Sequence, residues 1–335
     1  MSADRRVLVT GAGGFIGRWS LEPLRAAGYQ VCAVLAPRRD GANGGARRSC
    51  RDVEVRPVER QVEERPVEER PVEERQVDLT DLAALDALLE QARPTHLLHF
   101  AWIATPGRYW RSAENYRWLG ASRHLLAAFQ RVGGVRAVMA GSCAEYDWSR
   151  AAVCDERSTP LASGAESATP YAACKIALQH SLESFGRAHG LSTAWGRIFF
   201  QYGPGERRER LVASVISNLL CGREAPCTHG RQVRSFLHVE DVGAAFAALL
   251  ASDVEGPVNV GSAEPISIAA LLGEAARQIG RPDLLRLGAL EAPAGEPGLL
   301  VPAVGRLRDE VGFQPRWGLQ TGLADTIAWW RGELA

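Results

Sequence analysis

Tyr171 and Lys175 stand one helical turn apart, in Tyr171-Ala172-Ala173-Cys174-Lys175. On a helix this spacing puts both side chains on one face with Cβ atoms about 5–6 Å apart. A tyrosine titrates at about 10 unaided, and a neighbouring ammonium favours its phenolate, so the pair can give and take a proton as a general acid and base. Lysine also has the reach to hold the ribose hydroxyls of a nicotinamide nucleotide. Lys and Arg together number 39 and only position 175 is Lys, which leaves 38 Arg. Arginine cannot fill a spot shaped for a compact ammonium, so the one lysine is either a chance survivor or the group that this chemistry needs.

Three further features belong to the same chemistry. Gly11-Ala12-Gly13-Gly14-Phe15-Ile16-Gly17 directly follows a β-branched run at 6–10 and opens a helix expected over 19–27. Gly11 permits the tight turn, Gly14 lets backbone approach a pyrophosphate, and Gly17 lets helix and strand pack closely, while the helix N-terminus offers free N–H groups. Ser142 ends the strand begun at Arg136, where its hydroxyl can meet a substrate oxygen; alone it reads as a turn cap. Asn115 opens the helix expected over 116–132 and, alone, reads as an N-cap.

The elements that must carry these residues alternate. Strands are expected at 6–10, 30–35, 96–100 and 136–140, with helices at 19–27, 82–92 and 116–132 between them, the pattern of a doubly wound parallel sheet. Open sheets of this kind bind ligands at their carboxyl edge. After Arg197 the chain becomes Gly/Pro-punctuated, with helices near 211–221, 241–250, 267–279 and 319–330 and a strand at 235–239. The expected organisation is therefore a Rossmann-type α/β domain over 1–197, to which 235–260 returns, and a smaller substrate-binding lobe over 198–335. Within 40–77 a five-residue Glu/Arg/Pro repeat suits neither helix nor strand and reads as a solvated insertion.

An acid at the end of the second strand would select NAD by bonding the ribose 2′-OH. Val34-Leu35-Ala36-Pro37 has none and leads to Arg38 and Arg39, suited to gripping the 2′-phosphate of NADP unless they are merely solvated loop residues. NADP is expected, with NAD as the alternative. Asp78 and Leu79 would lie near the adenine.

A formal net charge of zero, with 46% hydrophobic and 23% charged residues, is ordinary for a soluble globular protein and favours neither nucleic acid nor a membrane surface. The N-terminal residues show no signal-peptide pattern and no spanning segment, so the cytoplasm is the expected compartment. Seven cysteines without a CxxC pair or a His-Cys cluster indicate neither a disulfide framework nor a metal site.

On these residues the sequence resembles the extended short-chain dehydrogenase/reductase family of nucleotide-sugar epimerases, dehydratases and ketoreductases. The likeness covers nearly the whole chain: the glycine turn, Asp78-Leu79, His99-Phe100-Ala101, Asn115, Ser142, Tyr171 with Lys175, Arg197, Tyr202-Gly203-Pro204, the run from Arg234 to Asp241, and Val258-Asn259-Val260-Gly261. It implies that Tyr171 is the acid/base, that Ser142 and Lys175 assist it, that Asn115 supports the lysine, that Phe100 and Ala101 line the cofactor cleft, and that the protein is a homodimer.

Departures from the family pattern narrow the reaction. The Asp-Glu pair of the 4,6-dehydratases is replaced by Cys143-Ala144, with Glu145 next in line as either a substrate contact or a packing carboxylate. An asparagine usual after Arg197 is Phe200, and an arginine usual before the Gly-Glu-Pro turn is Pro293, leaving Glu296. A substrate diphosphate would then rest on Arg197, Arg234 and Arg210, and Trp102, Tyr109, Trp110 and Trp148 could stack on sugar or base or simply pack. The leading expectation is a ketoreductase acting on a nucleotide-linked sugar. Alternatives are an epimerase with tightly bound NAD, a dinucleotide-binding module without catalysis, and an interaction scaffold built on the repeat.

Overall fold

A computed structural model of the chain describes residues 5–37, 72–163, 169–293 and 295–335. The apolar, β-branched runs become β1 (Arg6–Thr10), β2 (Gln30–Leu35), β4 (His96–His99), β5 (Arg136–Ser142), β7 (Ser192–Ile198) and β11 (Gly256–Val260), nearly all buried. With β3 (Glu73–Gln76) they form one seven-stranded sheet of order β11-β7-β5-β4-β1-β2-β3, every pairing parallel. The order reverses between β1 and β4, which opens a crevice at their carboxyl ends.

Helices cover both faces, as a parallel sheet requires. On one face α1 (Gly17–Ala26) and α6 (Val239–Ala251) bury Leu21, Leu24 and Phe246. On the other, α2 (Leu82–Ala92), α3 (Glu114–Arg131) and α4 (Pro170–His189) bury Leu85, Leu125 and Leu178. Thr169 caps α4, its hydroxyl accepting from the Ala172 amide, Pro170 takes the first helical position, and Gly190 closes the helix left-handed at φ 63°. These signals fix where Tyr171 and Lys175 begin.

β3 corrects the expectation for 40–77. Its residues are the end of the last copy of the charged repeat running into Gln76, yet they pair with β2 in register from Cys32–Glu73 to Leu35–Gln76. All four are exposed. An edge strand needs backbone partners on one side only, and charges on it discourage pairing with another chain, so a polar, non-alternating sequence suffices there. Residues 40–71 of the insertion, and with them Arg38 and Arg39, lie outside the described residues.

A second sheet combines β6 (Val153–Cys154), β8 (Phe200–Tyr202), β10 (Val233–His238), β12 (Pro265–Ser267) and β14 (Leu299–Pro302) in the order β12-β10-β14-β6, with β8 on β10. Packed beside it are α5 (Leu211–Leu220), α7 (Ile268–Ile279) and α8 (Leu319–Leu334), and a two-stranded ladder joins β9 (Ala225–Cys227) to β13 (Leu285–Leu287). The second sheet thus takes β6 from the first half of the chain, while β11 joins the large sheet and α6 packs against it. No described helix is long and apolar enough to cross a membrane.

Candidate active site

The glycine turn is built to tolerances that exclude side chains. Gly11 has φ +70°, and a Cβ on it would stand 2.8 Å from the Ala101 amide nitrogen. A Cβ on Gly17 would stand 2.3 Å from the Gly11 carbonyl oxygen, and the Gly14 amide donates to that same oxygen at 2.9 Å. Phe15 and Ile16 lead into α1, whose N-terminus carries no side-chain cap and no acid in its first turn. Uncapped amides and an open backbone fit a pyrophosphate. Across the crevice, Phe100 donates its amide to Thr10 and packs edge-on against Phe246 at 4.8 Å. Asp78 accepts from the amide and hydroxyl of Thr80, and Leu79 is buried.

Ser142, Tyr171 and Lys175 come together at the carboxyl end of β5. Burial pushes the Tyr171 phenol well above its ordinary range, with the Ser142 side chain opposing this. Tyr109 and Trp110 stand edge-on to the Tyr171 ring at 4.8 and 5.5 Å, and Trp148 stands edge-on to Trp110 at 6.2 Å. Ser142 does its capping work as well: its hydroxyl accepts from Ala144, and its amide donates to Glu145 at 2.7 Å.

Lys175 is buried, its Nζ donating to the Ala140 carbonyl at 2.8 Å and lying 4.0 Å from the centre of the Trp102 ring. Burial pushes the ammonium down to about 7, with Glu145 opposing. The ammonium's contacts are the Ala140 carbonyl and the Trp102 and Trp195 rings. Asn115 differs from the cap expectation: Ala113 precedes α3 and Asn115 lies within its first turn. Its Nδ2 donates to the Tyr109 and Ser112 carbonyls, and its Oδ1 accepts at 2.8 Å from the indole of Trp102, whose ring carries Lys175.

Two of the expected substrate contacts are spent on each other. Glu145 and Arg197 form an ion pair of 2.8 Å, with side chains 0% and 2% exposed. The remaining valences are filled: Glu145 accepts from the Trp195 indole, and Arg197 donates to Tyr146 and Gln179. A buried pair with its groups satisfied in this way ties β5, β7 and α4 together. Gln179 falls four residues after Lys175 and eight after Tyr171, so the shared helix face was visible in the sequence; Trp195 and Tyr146 gave no such signal.

Arg234 sits over the Phe200 ring at 5.4 Å and pairs with Glu296 at 3.0 Å, close enough to Cys143 for its charge to oppose the upward shift of that thiol. Arg210 is exposed and close enough to Tyr109 for its charge to oppose the upward shift of that phenol, which places it beside the Tyr171 wall. Arg210 also faces Glu206, a residue the sequence reading missed. Glu206 is 7% exposed with one oxygen unpartnered, and burial pushes it up to about 8. Among the described residues no group of three or more His, Cys, Asp or Glu could hold a metal.

A profile of the NAD dependent epimerase/dehydratase family matches residues 7–261, from the first strand to the end of the large sheet. The chain belongs to that family. A dTDP-4-dehydro-6-deoxy-D-allose reductase of Streptomyces bikiniensis is 28% identical over 336 residues, 98% of this chain and 97% of that protein. A Streptomyces reductase of the same name is 34% identical over 135 residues, 39% of this chain and only 40% of its own length. The UDP-glucose 4-epimerase of Thermus thermophilus, solved with NAD, superposes with a TM-score of 0.73 at 25% identity, covering 98% of this chain and 99% of that one.

Proposed function

We propose that this family member is an NADPH-dependent reductase of a ketone on a nucleotide-linked sugar, with Tyr171 as the acid that protonates the new alkoxide. The observation that carries the reading is the state of the acids around Ser142. The positions that hold a dehydratase's acid and base are Cys143 and Ala144, and the next acid, Glu145, is locked beneath the site by Arg197. Elimination of water therefore has no partner, whereas reduction needs only Tyr171. Burial keeps that phenol protonated, the form that donates.

A bound nicotinamide dinucleotide supplies the hydride. The uncapped end of α1 receives its pyrophosphate, and Lys175 holds its ribose. Ser142 orients the ketone oxygen toward the Tyr171 hydroxyl. Tyr109, Trp110 and Trp148 offer ring surface beside Tyr171, and the Trp148 indole N–H is already committed to the Cys143 carbonyl, which suits an apolar edge of a sugar such as the 6-deoxy ketone in the names of the Streptomyces reductases. Arg234 and Arg210 are the cations left for the diphosphate once Arg197 is accounted for. NADPH is preferred because β2 ends in Leu35-Ala36-Pro37 without an acid. The homodimer of the proposal joins through α3 and α4, where Tyr116 is 60% exposed.

The test is to supply a dTDP-4-dehydro-6-deoxy sugar with NADPH or NADH and follow nicotinamide absorbance together with the sugar product. The expected result is one equivalent of NADPH consumed per alcohol formed. Interconversion of sugars by a tightly held NAD, with no net consumption, would replace the reductase by an epimerase.

A further inference from the structure

The Trp102 indole does not behave as a sugar-stacking ring. One face carries the Lys175 ammonium at 4.0 Å, and its Nε1 hydrogen is committed to Asn115 at 2.8 Å. Asn115 is fully buried and is itself held by the Tyr109 and Ser112 carbonyls, so the indole is fixed in plane and in height. Lys175 has few other partners: the Ala140 carbonyl at 2.8 Å, and the more distant Trp195 ring at 5.9 Å. Among the described residues no carboxylate pairs with it directly. A desolvated ammonium without a counter-ion is costly, and the negative face of an indole is the strongest aromatic support for it.

We propose that Trp102 is the positioning residue of Lys175, carrying the ammonium on its ring face, and that Asn115 acts on the lysine through the indole it holds. The chain Asn115–Trp102–Lys175 is stiff at both ends. Asn115 also fixes the backbone of Tyr109, whose ring walls Tyr171, so one buried amide sets both halves of the acid–base pair. The proposed function supplies only what the lysine is for; the contact itself is testable without substrate or cofactor.

The titratable and charged groups facing the ammonium are few. Glu145, below on the turn after β5, and Cys174, beside it on α4, both favour its charge. His99, from β4, is buried and pushed down to about 3, so its ring is neutral, and Tyr171 is a neutral phenol. Arg197 is neutralised by Glu145. Against this background the ring face is a separable contribution.

Because position 175 is the one lysine in the chain, protein grown on lysine carrying ¹³C at Cε gives a single lysine resonance whose shift against pH reads the ammonium directly. Tryptophan bearing one, two or three fluorines, placed at position 102 alone, drains the ring face of negative charge with little change of shape. The expected result is a titration midpoint that falls stepwise, by about one unit in all. Trp102→Leu should fall at least as far, and Asn115→Ala should lower the midpoint with the indole still present. A midpoint that stays put or rises across the fluorinated series would overturn the proposal. Should Trp102→Leu or Asn115→Ala fail to fold, the fluorinated series decides alone.

Discussion

Glu145→Ala tests whether the carboxylate after Ser142 is a brace or a substrate ligand. The substitution removes the acceptor of the Ser142 amide, the Trp195 indole and the Arg197 guanidinium at once. Arg197, 1% exposed, keeps Tyr146 and Gln179 but loses its counter-charge. Breaking a buried ion pair from one side costs about 3–5 kcal/mol, and each orphaned donor adds about 1–3 kcal/mol. Water entering the vacated space offsets part of this, so a net loss of about 4 kcal/mol or more is expected, a large share of the roughly 5–15 kcal/mol a domain has. Urea unfolding monitored by tryptophan fluorescence measures it. Replacing both charges, as Glu145→Leu with Arg197→Met, should recover the share that comes from the unpaired guanidinium but not the share from the Ser142 amide and Trp195 indole, which stay without an acceptor. An alanine variant within about 1 kcal/mol of wild type that had lost affinity for the sugar nucleotide would refute the reasoning and return Glu145 to the substrate.

Gly17→Ala puts a methyl 2.3 Å from the Gly11 oxygen, so the turn must open, and NADPH affinity measured by calorimetry should fall at least about tenfold. Glu206 has a folded pKa of about 8 against an ordinary 4.5, so the folded protein holds a proton that the unfolded chain has released between those values. Its effect on stability is therefore a loss as pH rises from about 4.5 toward 8. Glu206→Gln should flatten that slope and be more stable than wild type at pH 8 by on the order of a few kcal/mol, with little gain at pH 5; parallel urea curves at both pH values would contradict this. Lys175→Arg keeps the charge but brings a planar fork to a spot framed by the Ala140 carbonyl and the Trp102 face. Dinucleotide affinity and turnover should each drop by about tenfold or more, read by titration and initial rates.

What was legible in the sequence was local or periodic. The glycine turn is recognisable because Gly14 and Gly17 both crowd the Gly11 carbonyl within seven residues, and α4 because Thr169, Pro170 and Gly190 mark its ends while Tyr171, Lys175 and Gln179 repeat on one face. The less legible features depend on partners far along the chain. Glu145 and Arg197 are 52 residues apart and meet only because β5 and β7 are neighbours in the sheet. Trp102 looked like a ring for substrate because nothing near it in sequence says that Lys175 will lie on its face. β3 was missed because an edge strand takes its stability from backbone pairing with β2, leaving charged side chains that carry no strand signal.

The central claim is that Tyr171 donates the proton in a hydride transfer to a ketone. The most direct measurement is single-turnover oxidation of bound NADPH by a dTDP-4-dehydro-6-deoxy sugar, in wild type and in Tyr171→Phe, with dinucleotide affinity measured alongside. Phenylalanine keeps the ring against Tyr109 and Trp110 and removes only the hydroxyl. The account predicts unchanged NADPH binding and a rate lower by about 10²–10⁴. A Tyr171→Phe enzyme that reduces the ketone at the wild-type rate would contradict it.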